Sequence, residues 1–429
     1  MQIDDLYTLF TRYPKVVTDT RKAETGSIFF ALKGEQFDGN DFAATALHAG
    51  CAYAVVDKPD VAIDERFILV EDTLAALQDL ARFHRRKFTI PVIAVTGTNG
   101  KTTTKELMKS VLSSKYQVLA TSGNLNNHIG VPLTLLQLNR NTEMAIIEMG
   151  ANHQQEISLL CNIAEPTHGL ITNIGKAHLE GFGGFQGVKK AKKELYDYLD
   201  KHKGTIFFNA TNPVLKELLA EVQANMIAYG ESPYIGRVLS ASPYLYMELS
   251  INEKTYTIQT HLAGAYNLEN IVSAACIGDY FQVPEEEIII SLSGYVPQNN
   301  RSQVLQTGRN LLLLDYYNAN PTSMKESLNN FFEQVQGKRM TILGDMFELG
   351  LESAAEHAEI VRILMNHPET ENIVVGRSFF EAAKDIPGIR AFEDIGTLKD
   401  ALANDPPEAF TILIKGSRGM KLEQLQELL

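Results

Sequence analysis

The chain has 429 residues, 45% hydrophobic and 21% charged, which suits a globular protein of two to four domains with a sizeable core. Its 39 basic residues against 52 acidic ones leave a net charge of −13, which argues against nucleic acid as a main partner because a phosphate backbone needs a basic surface. Three scattered cysteines without metal spacing, no basic-then-apolar leader in MQIDDLYTLF, and apolar runs no longer than those like Leu311 to Leu314 lead us to expect a soluble cytoplasmic protein without a membrane span.

Residues 1–85 read as a small α/β unit. Ser27–Leu32, Ala52–Val56 and Phe67–Val70 are apolar runs of strand length, and Ala43–Ala49 is a short helix ended by Gly50. Two polar, turn-rich stretches flank the first strand: Val17–Arg21 followed by Gly26, and Lys33–Gly39. They can form the edge of a ligand site or be two solvated turns, and the pattern by itself favours the turns. Leu74–Lys87 reads as a helix with a basic end (Arg82, Arg85, Arg86, Lys87) that joins this unit to the next.

Val92–Val95 reads as a buried strand, Gly97–Thr102 as a glycine loop carrying Gly-Lys-Thr, and Thr103–Leu112 as a helix with Leu107, Met108, Val111 and Leu112 at helical spacing. Strand, loop and helix in this order are the setting of a phosphate-binding loop, where backbone N–H groups and a helix N-terminus surround a polyphosphate. Lys101 is placed to neutralise the outer phosphates and the Thr102 hydroxyl to sit on Mg2+. The standard pattern puts its first glycine at the position of Val95; here the glycine is Gly97, so the loop is a shortened variant.

Val118–Ala120, Ala145–Glu148, Leu170–Asn173 and Thr205–Asn209 follow as apolar runs separated by helical patterns. That arrangement predicts a parallel sheet covered on both faces, with ligands beyond the C-terminal strand ends. Glu148 ends one strand and can hold Mg2+ or face water. His178 follows another and can bind metal, bind substrate or do neither. Gly187–Leu199 is a helix with four lysines. On a wheel of about 100° per residue, Val188, Ala191, Leu195 and Tyr196 share an apolar face, Lys192 falls inside it, and Lys189, Lys190 and Lys193 fall away. A buried lysine tends to lose its charge, and the free amine can take up CO2 to give a carbamate that serves as a metal ligand. Spacing alone favours the other reading, a lysine that snorkels its ammonium to water.

Tyr244–Ile251 and Thr255–Leu262 read as an antiparallel hairpin on the sheet edge, Ala265–Phe281 as a helix with Asn267 and Asn270 near its start, and Ser291–Ser302 as a linker. The βα alternation then restarts, with strands at Asn310–Leu314, Met340–Leu343, Asn372–Val375 and Phe410–Ile414 and helices at Thr322–Val335 and Ala354–Leu364. This is a Rossmann-like unit without a Gly-x-Gly-x-x-Gly fingerprint, so no dinucleotide is expected. Asp315–Pro321 and Lys415–Arg418 close its first and last strands. A Lys and an Arg beside a Gly-Ser turn suit an anion or a carboxylate; ordinary loop chemistry is the other reading.

Taken together these residues resemble the Mur ligase family of amide-bond-forming ATPases. Gly97–Thr103 is similar to the family's short phosphate loop. Gly123–Pro132 (GNLNNHIGVP), Glu148-Met149-Gly150, Asn173–His178, Tyr317–Pro321, Leu343–Met346 with Glu348–Gly350 and His357, and Lys415–Arg418 follow in the family's order. Within the family they look most like the member that adds D-alanyl-D-alanine. Asp19-Thr20-Arg21 and Leu32–Gly34 through Asp38-Gly39 resemble its uridine-nucleotide-binding domain. Asn300 stands where the family usually has Gly, and Leu314 where many relatives carry Asp.

The resemblance implies an α/β chain of three domains. These are a small N-terminal UDP-sugar-peptide-binding domain (1–85), a central P-loop ATPase with a mainly parallel sheet (86–298) and a C-terminal Rossmann-like domain (299–429). It implies a monomeric, ATP- and Mg2+-dependent ligase joining D-Ala-D-Ala to UDP-N-acetylmuramoyl tripeptide in peptidoglycan precursor synthesis. The implied nucleotide contacts are Gly97, Thr98, Asn99, Gly100, Lys101, Thr102, Thr103, Asn267, Asn270, Arg301, Asp315 and Asn318. The implied metal ligands are Thr102, Glu148, His178 and Lys192, the last as the carbamate, which reverses the snorkelling reading. The implied catalytic groups are Lys101, Lys192 and His178. The implied substrate contacts are Thr20, Arg21, Asp38, Gly39, Asn126, Asn127, Asn320, Lys415, Ser417 and Arg418. The alternatives are another ligase of the superfamily (the enzyme adding the third stem residue, or a folylpolyglutamate synthase) and a nucleotide-binding scaffold without ligase chemistry.

Overall fold

Apolar runs bounded by polar turns form a sheet of parallel strands in each of three successive stretches of the chain; the computed structural model describes residues 2–298 and 300–429. The first sheet takes its strands in chain order: Lys15–Val17, Ser27–Phe30, Tyr53–Val56 and Phe67–Leu69. The helix Thr73–Arg85 follows, opened by Asp72, whose side chain accepts from the Ala75 N–H at 2.8 Å. Of its basic end, Arg86 and Lys87 are exposed and one residue is anchored. Arg85 is buried and donates to the carbonyls of Ala164 (3.0 Å), Phe88 (2.6 Å) and Glu165 (3.1 Å). One apolar core runs from Ile28 and Phe30 through Leu77 and Leu80 to Val92 and Ala94, so the first sheet and the second share packing.

The second sheet has six parallel strands in the order Asn225–Tyr229, Thr205–Asn209, His168–Ile171, Val92–Thr96, Met144–Glu148, Val118–Ala120. Every residue of Val92–Thr96 is buried at its centre. The chain leaves that strand to opposite sides, which opens a crevice at the C-terminal ends. The third sheet orders Gln303–Gln306, Leu311–Asp315, Thr411–Lys415, Arg339–Gly344, Glu371–Val375 and Ile389–Phe392, parallel except for its first, edge strand.

Several expectations change. The hairpin, Tyr246–Ile251 with Lys254–Gln259, does not extend the large sheet. It joins Tyr234–Ser240 in a separate antiparallel sheet, because Met247, Leu249, Ile251 and Ile258 bury their face together with Ile271 and Val272 of the helix Leu268–Tyr280. The first residues of the expected linker, Ser291–Gly294, end the helix Glu285–Gly294. Asp315 closes the second strand of its sheet, not the first. The strand expected at Leu170–Asn173 is His168–Ile171, and Thr172 and Asn173 turn away to hold the phosphate loop. Met1 and Asn299, the first residues of the expected first and third domains, lie outside the described residues. Among the described residues no helix is long and apolar enough to cross a membrane.

Candidate active site

Only Gly97–Gly100 separate the strand ending at Thr96 from the helix Lys101–Leu112. The short span demands positive φ at both glycines, 141° at Gly97 and 78° at Gly100, where a Cβ would stand 2.6 Å from Asn270 Oδ1. Asn173 pins the loop: its side-chain oxygen accepts from the Asn99 N–H and its carbonyl from the Thr98 N–H, each at 2.9 Å. The helix N-terminus carries no side-chain cap, which leaves its first amides available to an anion. Lys101 folds back on the loop, Nζ donating to the carbonyls of Gly97 (2.7 Å) and Thr98 (2.9 Å). Burial pushes its ammonium down to about 8, with Arg301 adding and Glu148 opposing.

Glu148 ends its strand 1% exposed. Its Oε1 accepts from Thr102 Oγ1 (3.2 Å) and Asn126 Nδ2 (2.8 Å), and its Oε2 is buried without a hydrogen-bond partner. A dry carboxylate oxygen without a hydrogen-bond donor, beside a threonine hydroxyl, fits a hard divalent cation. His178, at φ 50°, presses Nδ1 against the Glu348 carboxylate without a hydrogen bond. Burial lowers its pKa, Glu348 opposes, and Lys101 and Lys192 add to the lowering, so the ring is held toward the neutral form that binds metal. Among the described residues no three His, Cys, Asp or Glu groups gather closely enough to hold a metal by themselves, so a cation on Glu148 and His178 needs further ligands.

The helix Phe185–Lys201 buries Val188, Ala191, Leu195 and Tyr196, and Lys192 with them at 3% exposure. Lys192 Nζ lies 5.4 Å from the Phe182 ring centroid, and among the described residues no carboxylate pairs with it. Burial first, then Lys101, pushes its amine down to about 7. Lys189 differs from expectation. It is buried too, because its stem lies along the helix while its ammonium reaches Glu217 at 2.7 Å.

The third sheet supplies the opposite wall of one cleft of about 770 Å³, with Arg301, Asp315, Asn318, Asn320 and Lys415 facing Thr98–Lys101, Thr103, Asn126, Asn127, Glu148, His178, Asn267 and Asn270. Lys415 pairs with Asp315, which also accepts from Ser327 Oγ at 3.1 Å. Asn270 accepts from Thr104 Oγ1 and donates to Asn267 Oδ1, both at 3.0 Å, and Asn267 donates on to Ser302 Oγ at 2.9 Å. Three further contacts join the walls: Asn320 with Asn99 (2.7 Å), Lys176 with Glu356 (2.6 Å) and the Lys176 N–H with Thr322 Oγ1 (3.0 Å).

Other expected residues stand outside this lining. Gly97, Thr102 and Lys192 touch it through neighbours: Gly97 by accepting from Lys101, Thr102 through Glu148, and Lys192 through its charge on Lys101. Ser417 is buried and accepts from the Phe347 N–H at 3.0 Å. Arg418 stacks 5.1 Å from the Tyr317 ring centroid, which Arg301 also covers at 3.8 Å. Thr20, Arg21, Asp38 and Gly39 lie at the edge of the first sheet, away from the cleft. Arg21 pairs with Asp19 at 2.7 Å and Asp38 with Lys58 at 2.9 Å, each partner holding its carboxyl down to about 2.

Lys105 and Glu326 are among the residues in and around the site that escaped the sequence reading. Lys105, one turn beyond Lys101, is wholly buried and donates to the Thr121 carbonyl at 2.6 Å. It shares a helical face with Met108 and Leu112, so the wheel that singled out Lys192 would have found it. Glu326, in the cleft wall, has its carboxyl raised to about 7 by burial against the pull of Lys415. Its place on the helix Pro321–Gln334 carried no sequence signal.

A short glycine loop under an uncapped helix, beside a dry carboxylate of the same sheet and lining a cleft between two parallel-sheet units, defines a multidomain phosphate-loop protein. The chain belongs to the Mur ligase family. Its residues 13–85 match the Mur ligase family, catalytic domain, residues 95–278 the Mur ligase middle domain, and residues 300–418 the Mur ligase, glutamate ligase domain. The three-domain α/β architecture is thereby that of the family. UDP-N-acetylmuramoyl-tripeptide–D-alanyl-D-alanine ligase of Bacillus subtilis (strain 168) is 35% identical over 96% of this chain and 92% of that one. The crystal structure of MurF from Acinetobacter baumannii is similar at a TM-score of 0.87, with 32% identity over 96% of this chain and 92% of its own. MurF ligase from Thermotoga maritima in complex with ADP is similar at 0.86, with 27% identity over 98% and 97%.

Proposed function

We propose that the chain is an ATP-dependent amide ligase joining D-alanyl-D-alanine to UDP-N-acetylmuramoyl tripeptide, a cytoplasmic step of peptidoglycan precursor synthesis, and that it acts as a monomer. The observation that carries this reading is one cleft holding Lys101, a Glu148 oxygen that accepts no hydrogen bond, and the Arg301–Asp315–Lys415 wall. Relatives of that name, aligned over 96% of the chain, support it.

In the proposed reaction a terminal carboxylate oxygen of the tripeptide bonds to the γ-phosphorus of ATP as the bond to ADP breaks, which gives an acyl phosphate. The amine of D-Ala-D-Ala then bonds to the acyl carbon and loses its proton, and the carbon–oxygen bond to phosphate breaks. Lys101 leaves its own loop carbonyls for the outer phosphates, and the helix amides after Gly100 hold the remainder. Thr102, Glu148, His178 and a carbamate on Lys192 would hold Mg2+, which when bound offsets the repulsion between the two reacting anions. The free amine of Lys192 forms that carbamate by bonding to CO2 with release of a proton. Thr20, Arg21, Asp38 and Gly39 take the uridine nucleotide. Asn126, Asn127, Asn320, Lys415, Ser417 and Arg418 take the peptide ends, and the remaining cleft residues (Asn267, Asn270, Arg301, Asp315, Asn318) take the nucleoside of ATP. We divide the chain at 1–85, 86–298 and 299–429, with the last part closing over the acyl phosphate to exclude water.

The test is phosphate release from ATP. It should require both UDP-N-acetylmuramoyl tripeptide and D-Ala-D-Ala; release with folate and glutamate instead would favour another ligase of the superfamily.

A further inference from the structure

The amide of Asn99 is oriented from the other side of the cleft. Asn320 caps the helix Pro321–Gln334: its Oδ1 accepts from the Ser323 N–H at 2.9 Å, and Ser323 Oγ accepts in return from the Asn320 N–H at 3.2 Å. A backbone N–H can only donate, so Oδ1 of Asn320 must face the helix and its Nδ2 must face outward. That Nδ2 donates to Asn99 Oδ1 at 2.7 Å. The chain of donors therefore fixes the second amide as well. Asn99 turns its oxygen to Asn320, and its own Nδ2 is left buried with no partner.

An orphaned amide donor in a dry place is costly, and the great majority of such groups are satisfied. This one sits in the phosphate loop between Thr98 and Gly100, beside Lys101, and its residue lines the cleft. No acceptor of the described chain reaches it, so the group that satisfies it comes with a ligand, admitted as Lys101 leaves the Gly97 and Thr98 carbonyls. We propose that Asn320 is a positioning residue for nucleotide binding, aiming Asn99 Nδ2 at a phosphate oxygen of the bound nucleotide and thereby coupling the C-terminal part of the chain to the loop. The inference rests on the nucleotide-binding reading above.

Asn320→Asp keeps the helix cap, since Asp is as good an N-cap as Asn, but replaces the outward donor by an acceptor. The Asn99 amide then turns over to donate to it and presents its oxygen where the phosphate should lie. ADP titrated calorimetrically into the full-length chain should bind roughly tenfold more weakly to Asn320→Asp, a loss of the size of one hydrogen bond to a charged group. The melting temperature without ADP should stay near that of the parent. Asn99→Ala should weaken ADP binding similarly, and adding Asn320→Asp to it should change little further. Asn320→Ser, neutral and still able to cap, should weaken binding in the same direction by less. Parental ADP affinity in Asn320→Asp, or a loss as large in the Asn99→Ala chain as in the parent, overturns the coupling while leaving the nucleotide-binding reading intact. A parent chain that binds no ADP overturns both.

Discussion

Lys105 Nζ and Glu148 Oε2 lie 3.9 Å apart, and neither side chain is more than 1% exposed. The lysine also bonds to the Thr121 carbonyl and pairs with Glu106 at 2.8 Å, so a cation is built in beneath the carboxylate that we assign to the metal. Removing one member of a buried pair leaves the other charge dry, at about 3 kcal/mol or more. Lys105→Met should lower the urea midpoint accordingly. Lys105→Met combined with Glu148→Gln should cost clearly less than the sum of the two single changes, and additive losses would contradict the pairing.

Lys101→Ala should abolish ADP formation while UDP-substrate binding stays within a few fold, because the residues we assign to the uridine nucleotide lie on a different sheet. Isothermal titration and a coupled ADP assay on one preparation read both. Normal turnover by this variant would remove Lys101 from the mechanism.

For Lys192 the expected result is activity that falls in bicarbonate-free buffer and returns on adding bicarbonate, together with a native mass increased by one CO2. Lys192→Ala should lack both the added mass and the activity. Full activity in Lys192→Ala would sink the carbamate.

His168 opens a sheet strand with its ring packed among Phe207, Tyr280 and Phe281, and burial pushes its pKa down to about 4. Unfolded histidine titrates near 6.5, so the unfolded chain takes the proton first. The stabilisation is complete above about pH 6.5 and is lost as the pH falls toward about 4. His168→Gln should therefore shrink the stability difference between pH 7 and pH 5 by about 2 kcal/mol, read from urea midpoints at the two pH values. An unchanged difference would show that the folded chain protonates His168 as readily as the unfolded one.

Much of this arrangement was readable from residue order because the chemistry is local. Gly97 to Thr102 are contiguous, Glu148 ends an apolar run, and Lys192 stands out on a helical wheel. The strands of the large sheet that flank the loop follow the same logic, since buried parallel strands are near-continuous apolar runs. Contacts formed between distant segments were not readable. Nothing near Asn320 announces Asn99, and nothing near Lys176 announces Glu356. The edge strand Gln303–Gln306, half-buried and polar at both ends, lacks the apolar run that marked its neighbours. Tyr234–Ser240 alternates between partly buried and exposed positions after a Ser-Pro turn, and no strand was expected there. Lys189 misled because a long stem can be buried while its charge reaches an exposed carboxylate.

The most direct measurement is the mass of the product formed when the full-length chain is incubated with ATP, Mg2+, UDP-N-acetylmuramoyl tripeptide and D-Ala-D-Ala. A UDP-linked pentapeptide is expected, with one phosphate and one ADP released per amide bond. Phosphate release without that product, or an amide formed only on folate with glutamate, would contradict the proposed reaction.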